Sequence, residues 1–281
     1  TKDETASASK FKAPDHHYLE SWNDFEPKKK HFSVSQPAIT PLFKTRQAQE
    51  SFLVWAGESN TDYFETLKAN WNAWFYAKSG SLSGFQSYWD KCLYDGVLEF
   101  PAENSAAPNF AGNIAAAAAD IEKEYQANNT AYELVVYETC GVGNGVQANN
   151  PLLQELPDPI TKAVWDHYVT VSQKDAAALG INNDAEGHTQ LIKLTAGSYS
   201  VSVPALVQPG QAPGTLGLAV GYGRTKVGKV AENIGKNAYP FISIANGYLS
   251  YSVTNVKVEV TTEPFQVAQT QIHHTYMARE S

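Results

Sequence analysis

Residues 132–181 read YELVVYETCGVGNGVQANNPLLQELPDPITKAVWDHYVTVSQKDAAALGI, and residues 191–224 continue LIKLTAGSYSVSVPALVQPGQAPGTLGLAVGYGR. Short apolar runs alternate here with loops of Gly, Pro and Asn. Leu134–Tyr137 and Tyr168–Val171 are short runs of the kind that form buried strands. Ser172 is placed to cap a brief helix, with Asp175 completing a capping box and Gly180 stopping it. Strands are expected at Gln190–Thr195 and Tyr199–Val207, joined by a hairpin turn at Ala196-Gly197. Leu216–Val220, Val256–Val260 and Phe265–Gln269 supply further β runs. Several short strands around one helical turn predict a barrel or a sandwich.

Working outward, the first 55 residues carry several Pro and little periodicity, so irregular structure is expected there. Two amphipathic helices follow. Asp62 caps the first, supported by Glu65, and Phe64, Leu67, Trp71 and Phe75 recur on one face. Phe85, Tyr88, Trp89, Cys92 and Leu93 share one side of the second, which Gly96 ends. A third helix is predicted over about Asn113 to Asn128, where Ala115 to Ala119 give high helix propensity.

The chain has 281 residues, enough for one large domain or two ordinary ones. Its net charge is -8. Phosphate backbones are bound by clustered cations, and the one sizeable basic run, Lys28-Lys29-Lys30, reads as a solvated loop after Pro27. Nucleic acid is therefore not an expected partner. Two cysteines, Cys92 and Cys140, fall short of the roughly four thiolates an iron–sulfur cluster needs. No stretch approaches the roughly 20 apolar residues of a membrane-spanning helix. The polar opening TKDETASASK, without an initiator Met, reads as part of a longer polypeptide.

Several motifs come close to known chemistry and miss. Gly141-Val142-Gly143-Asn144-Gly145 follows a strand, but a dinucleotide fingerprint needs a helix directly after the glycines. Gln147–Pro151 intervenes instead. Gly223 to Lys229 imitates a phosphate loop, yet the position that should hold a magnesium-binding hydroxyl is Val230. His16-His17 and His273-His274 are adjacent pairs, which on a strand point to opposite faces and rarely chelate one metal. No GxSxG elbow marks a nucleophile.

The order of elements over residues 132–224 resembles the C-terminal domain of molybdopterin oxidoreductases of the dimethyl sulfoxide reductase type. The resemblance lies in Tyr168–Ser172 leading into the Asp175–Ile181 helix, then the hairpin and the Ala205–Gly210 loop. HYLESW (17–22), ESNTDYFETLKANWNAW (58–74), NNPLLQELPDPITKAVWDHYVTVS (149–172) and QPGQAPGTLGLAVGYGR (208–224) also look like the large iron–sulfur subunit of bacterial alternative complex III. These segments are spread over most of the chain.

That resemblance implies an α/β plus β fold. Residues 1–130 would be a remnant α/β region of a molybdopterin-oxidoreductase-like domain, and residues 131–281 a double-psi β-barrel. It implies electron transport in a respiratory chain by quinol oxidation, on the periplasmic side of a bacterial inner membrane, as part of a membrane complex. Multihaem cytochrome c subunits, integral-membrane quinol-binding subunits and a ferredoxin-like domain of the same polypeptide would be the partners. Iron–sulfur clusters would belong to that further domain.

One departure bears on cofactor chemistry. Active relatives carry Thr-Gly-Arg after the first barrel strand, whereas this chain has Glu138-Thr139-Cys140-Gly141. A pterin dinucleotide brings a charged pyrophosphate that needs compensating donors when enclosed. With that Arg missing, molybdopterin is expected to be absent, with no catalytic residue and no metal in this segment. Gly141, Asn144, Asn150, Arg224 and Asn237 would line the vestigial cleft. Two alternatives stand beside this scaffold reading: a catalytic molybdenum or tungsten pterin oxidoreductase acting on a small oxyanion or sulfur compound, and a secreted carbohydrate-binding module. The second expects exposed Trp platforms, while helical spacing places Trp71 and Trp89 on packed faces.

Overall fold

A computed structural model describes residues 3–101, 107–127, 132–184, 186–245 and 247–271. Contacts divide the chain into two units, one of Phe11–Ala111 and one of Thr1–Lys10 with Gly112–Ser281. The division falls at residues 111 and 112, where sequence reading set it at 130 and 131. The first ten residues also join the second unit. Glu4 explains this, since it pairs with Arg224, 220 positions away.

In the unit of Phe11–Ala111, strands β1 (Asn23–Lys28), β2 (His31–Ser35) and β3 (Val97–Glu99) form an antiparallel sheet in that order. The β1–β2 hairpin and the helix Ala48–Ala56 lie in a stretch expected to be irregular. The hairpin lacks the usual Gly or Asn signal because Lys30 takes the left-handed conformation itself, at φ 67°. Glu26 supports the turn, its carboxylate accepting the Lys30 N–H at 2.8 Å.

Asp62 does cap the helix Tyr63–Trp71, accepting from the Phe64 and Glu65 amides. A π-helical turn, Asn72–Tyr76, continues it. The helix Phe85–Asp95 ends at Gly96 in the left-handed conformation. Leu67, Trp71, Phe75, Trp89 and Cys92 form the core between these elements. Trp71 is 1% and Trp89 2% exposed, so neither offers a sugar platform. Trp55 and Trp74 are exposed, on separate helical segments.

In the other unit, β4 (Glu133–Tyr137), β5 (Val169–Val171), β6 (His188–Ala196), β7 (Tyr199–Val207), β8 (Thr215–Ala219), β9 (Ser243–Ala245), β10 (Tyr248–Ser250), β11 (Ser252–Val253) and β12 (Lys257–Gln266) follow in sequence. Seven of them form one mixed sheet in the order β11-β4-β8-β5-β7-β6-β12. β4 runs parallel to β8 and β5 parallel to β7; the other neighbours are antiparallel. Most of Val256–Val260 and the first two residues of Phe265–Gln269, expected as two strands, belong to the single strand β12. A register shift between Val260 and Pro264 interrupts the pattern, as suits a proline that cannot donate to the ladder.

The core beneath this sheet includes Leu134, Val136, Val169, Val171, Ile192, Leu194, Val203, Leu216 and Leu218, all at most 2% exposed. The helix Gln173–Leu179 covers one end of it. Ser172 Oγ accepts the Asp175 amide at 3.0 Å and donates to Asp175 Oδ2 at 2.6 Å, and Gly180 closes the helix at φ 70°. The helix expected over about Asn113 to Asn128 runs Ile114–Ala127. His273 and His274 lie outside the described residues.

Candidate functional site

Two parallel strands set the position of the site. Tyr137 of β4 lies opposite Ala219 of β8, so both strands end at the same edge of the sheet. The loops that leave them, residues 138–150 and 220–238, emerge side by side. β5 runs against β8, with Val169 opposite Leu218, and so begins at that edge. It delivers His167 and Tyr168 to the same place. A ligand crevice is expected where loops follow the carboxyl ends of parallel strands.

Here the loops fill that space with their own backbone. A Cβ on Gly145 would stand 2.7 Å from the Gly221 carbonyl oxygen, and one on Gly221 would stand 2.5 Å from the Gly143 carbonyl oxygen. A Cβ on Gly223 would collide with the Asn237 amide nitrogen. The glycines that mimic nucleotide-binding motifs therefore serve interlocked loops. Neither run leads directly into a helix: 141–145 is followed by turns before Pro151–Gln154, and 223–229 by turns. Val142, Ala148, Val227 and Ala231 close a small apolar cluster between them.

His167 seals the base of the loops. Its Nε2 donates to the Ala219 carbonyl at 2.8 Å, and its Nδ1 accepts the Lys236 N–H at 3.0 Å. An acceptor Nδ1 fixes the neutral tautomer with the proton on Nε2. Its ring stacks on Tyr222, centroids 4.5 Å apart and planes 5° from parallel. Burial lowers its pKa to about 4, with the Ala219 contact opposing that shift and the Lys236 charge adding to it.

A pocket of about 20 Å³ remains beside these loops, bordered by Thr139, Gly141, Gln154, Asp166, Tyr168 and Tyr222 among others. That is room for about one water. Gln154 donates from Nε2 to the Ala148 carbonyl at 2.9 Å, while its buried Oε1 has no protein partner, as a water-binding pocket would leave it. Burial raises the Asp166 pKa, opposed by its bond to the Ala268 amide. It also raises those of Tyr137, Tyr168 and Tyr222. Tyr168 donates to, or accepts from, Thr161 Oγ1 at 2.6 Å.

The five residues expected to line the cleft divide between loop architecture and charge. Gly141 borders the small pocket, against the Leu153 carbonyl. Asn144 accepts the Val146 amide on Oδ1, and its carbonyl accepts the Tyr239 hydroxyl at 2.7 Å. Asn150 caps the turn Pro151–Gln154 through Oδ1 and borders a second, shallow pocket with Val146, Gln147, Asn149 and Val227. Asn237 accepts the Tyr239 amide on Oδ1 and the Tyr199 hydroxyl on its carbonyl. Arg224 alone presents a charge, and its guanidinium is engaged by Glu4 and by the Gly145 carbonyl.

Sequence reading missed His167, Tyr222 and Glu4. Nothing local marks Glu4, because its partner lies more than two hundred positions away. His167 and Tyr222 each precede or follow a strand end, a position that motif scanning does not score.

No family model and no curated protein matches the sequence. Among solved structures, acetylene hydratase from Pelobacter acetylenicus is similar, with a TM-score of 0.58 at 12% identity. The alignment covers 87% of this chain and 37% of that one, so the chain spans well under half the length of that protein. At this identity the likeness concerns the fold alone. The chain thus has a mixed α/β fold, distantly similar to that of acetylene hydratase.

The residues of the crevice do not fit a pterin dinucleotide. Small-molecule and cofactor sites typically occupy roughly 300–1,000 Å³. The two pockets that these loops border are about 20 and 160 Å³. The one guanidinium that could meet a pyrophosphate already holds a carboxylate. Among the described residues there is no group of three or more His, Cys, Asp or Glu side chains suited to a metal, and no helix long and apolar enough to cross a membrane.

Proposed function

We propose that this region is a cofactor-free scaffold derived from a molybdopterin-enzyme domain, within a quinol-oxidising respiratory assembly of the alternative complex III kind. The interlocked loops at the ends of β4 and β8 support this reading, since backbone occupies the crevice where such a sheet would be expected to take a ligand. The seven-stranded mixed sheet would be the counterpart of the family's double-psi barrel. The segments quoted above for that subunit supply the assembly and its periplasmic setting. Multihaem cytochrome c subunits, integral-membrane quinol-binding subunits and a ferredoxin-like domain of the same polypeptide, carrying the iron–sulfur clusters, would dock on it.

Exposed apolar side chains support a docking role. Leu42, Phe43, Phe52 and Trp55 lie within residues 1–55, and Ile244, Tyr248 and Leu249 within residues 225–250; all are more than half exposed. A rigid body without redox chemistry matters in such an assembly by fixing the spacing between carriers.

Metal and pterin content of the purified protein tests the proposal. Substoichiometric molybdenum and tungsten, with no fluorescent pterin on acid oxidation, is the expected result. About one metal per chain would reinstate the catalytic alternative. Purification in mild detergent should bring down haem-bearing companions, and a protein that is isolated alone at every detergent strength would remove the assembly from the reading.

A further inference from the structure

The groups around Glu4 form a more specific arrangement than an ordinary surface ion pair. Arg224 Nη2 donates to Glu4 Oε2 at 2.7 Å, and Nε lies 3.1 and 3.2 Å from the two carboxylate oxygens. The amides of Thr225 and Lys226 donate to Oε1 at 2.8 and 3.2 Å. Arg224 Nη1 is anchored on the Gly145 carbonyl at 2.6 Å, which aims the rest of the fork. One carboxylate thus receives a guanidinium edge and two consecutive main-chain N–H groups. Such a convergent set of donors suits a tetrahedral oxyanion. The Arg224 bond, then the Thr225 amide, hold the Glu4 carboxyl far below the usual carboxylate range.

We infer that Arg224 with the Thr225 and Lys226 amides is an oxyanion-binding site of phosphate class, and that Glu4 is its built-in occupant. The inference rests on the pterin-free reading above. Asp3 fixes the geometry from the other side, its carboxylate accepting the Ala6 amide at 2.7 Å and so starting the short helix that presents Glu4. The consequence is that a mobile anion meets a site already neutralised. It binds only when the tethered carboxylate is taken away.

The test titrates inorganic phosphate into the full chain by calorimetry at low ionic strength. Wild type should show no saturable binding at millimolar phosphate, and Glu4→Ala should bind at least tenfold more tightly. Adding Arg224→Lys to Glu4→Ala should abolish that gain, because a point charge cannot replace the fork. If Glu4→Ala does not fold, Glu4→Gln removes the charge at constant volume and should gain affinity in the same direction. Equal binding by wild type and the Glu4 variants, or binding that survives Arg224→Lys undiminished, would overturn the inference. Metal and pterin content of the same wild-type sample reports separately on the underlying reading.

Discussion

The imidazole of His167 lies flat on the phenol of Tyr222, 4.5 Å between centroids, and joins the start of β5 to the loop leaving β8. The same ring donates to Ala219 and accepts from Lys236. One buried, neutral side chain thereby holds three segments of the closed crevice.

A pH dependence follows from it. The folded-state pKa is depressed to about 4, from an ordinary 6.5. The unfolded chain takes up a proton below pH 6.5, and the folded protein resists it until about pH 4. Stability from this group is therefore full above pH 6.5 and is lost progressively as pH falls towards 4, by about 3 kcal/mol in all. Chemical denaturation of wild type and His167→Phe between pH 7 and 4.5 measures the effect. The two curves should converge as pH drops, with the variant weaker at pH 7 by about 2–4 kcal/mol for a broken buried network.

Gly221→Ala should destabilise by more than about 2 kcal/mol, since the new methyl meets the Gly143 carbonyl and the backbone sits at φ +91°. Gly197→Ala is the comparison. Its φ is +58° but nothing lies within 4 Å of a Cβ, so only about 1 kcal/mol of left-handed strain is expected. Thermal melts of the two variants separate close approach from conformation. Equal shifts would mean the loops are not interlocked as described.

Trp71→Ala should cost about 3–5 kcal/mol, as for a large core aromatic. Trp71→Phe should cost less, with its loss concentrated in the bond from the indole Nε1 to Asp24 Oδ2 at 2.9 Å. Restoring the apolar pairing with Asp24→Ala on the Trp71→Phe background should recover part of that loss, because the orphaned carboxylate is gone.

The two thiols should react differently. Cys140 is exposed and Cys92 is buried, with desolvation raising the Cys92 pKa. Iodoacetamide should add one label to the native protein, at Cys140, and a second only after denaturation. Mass spectrometry of the labelled peptides reads both positions.

The elements that sequence alone made legible are those with a local cause. Ser172, Asp175 and Gly180 specify a helix start and stop within nine positions, and the structure follows them. The same holds for Asp62, for Gly96 and for the hairpin turned at Gly197, where Ala196 pairs with Tyr199. What stayed hidden has a distant or atypical cause. The β1–β2 turn relies on a lysine in a glycine conformation, and the fusion of two β runs into β12 depends on pairing with β6. At the site, the resemblance pointed to Gly141, Asn144, Asn150, Arg224 and Asn237. It did not reveal that most of them satisfy the loops themselves, nor that Arg224 is paired with Glu4.

A cavity walled by side chains can be enlarged by trimming them one at a time. The seam between residues 143–145 and Gly221 offers nothing to trim, because glycine main chain already touches glycine main chain. Making room there would require shortening or rerouting a loop, an insertion or deletion event instead of a point substitution. Drift through single-residue changes would thus leave the chamber shut.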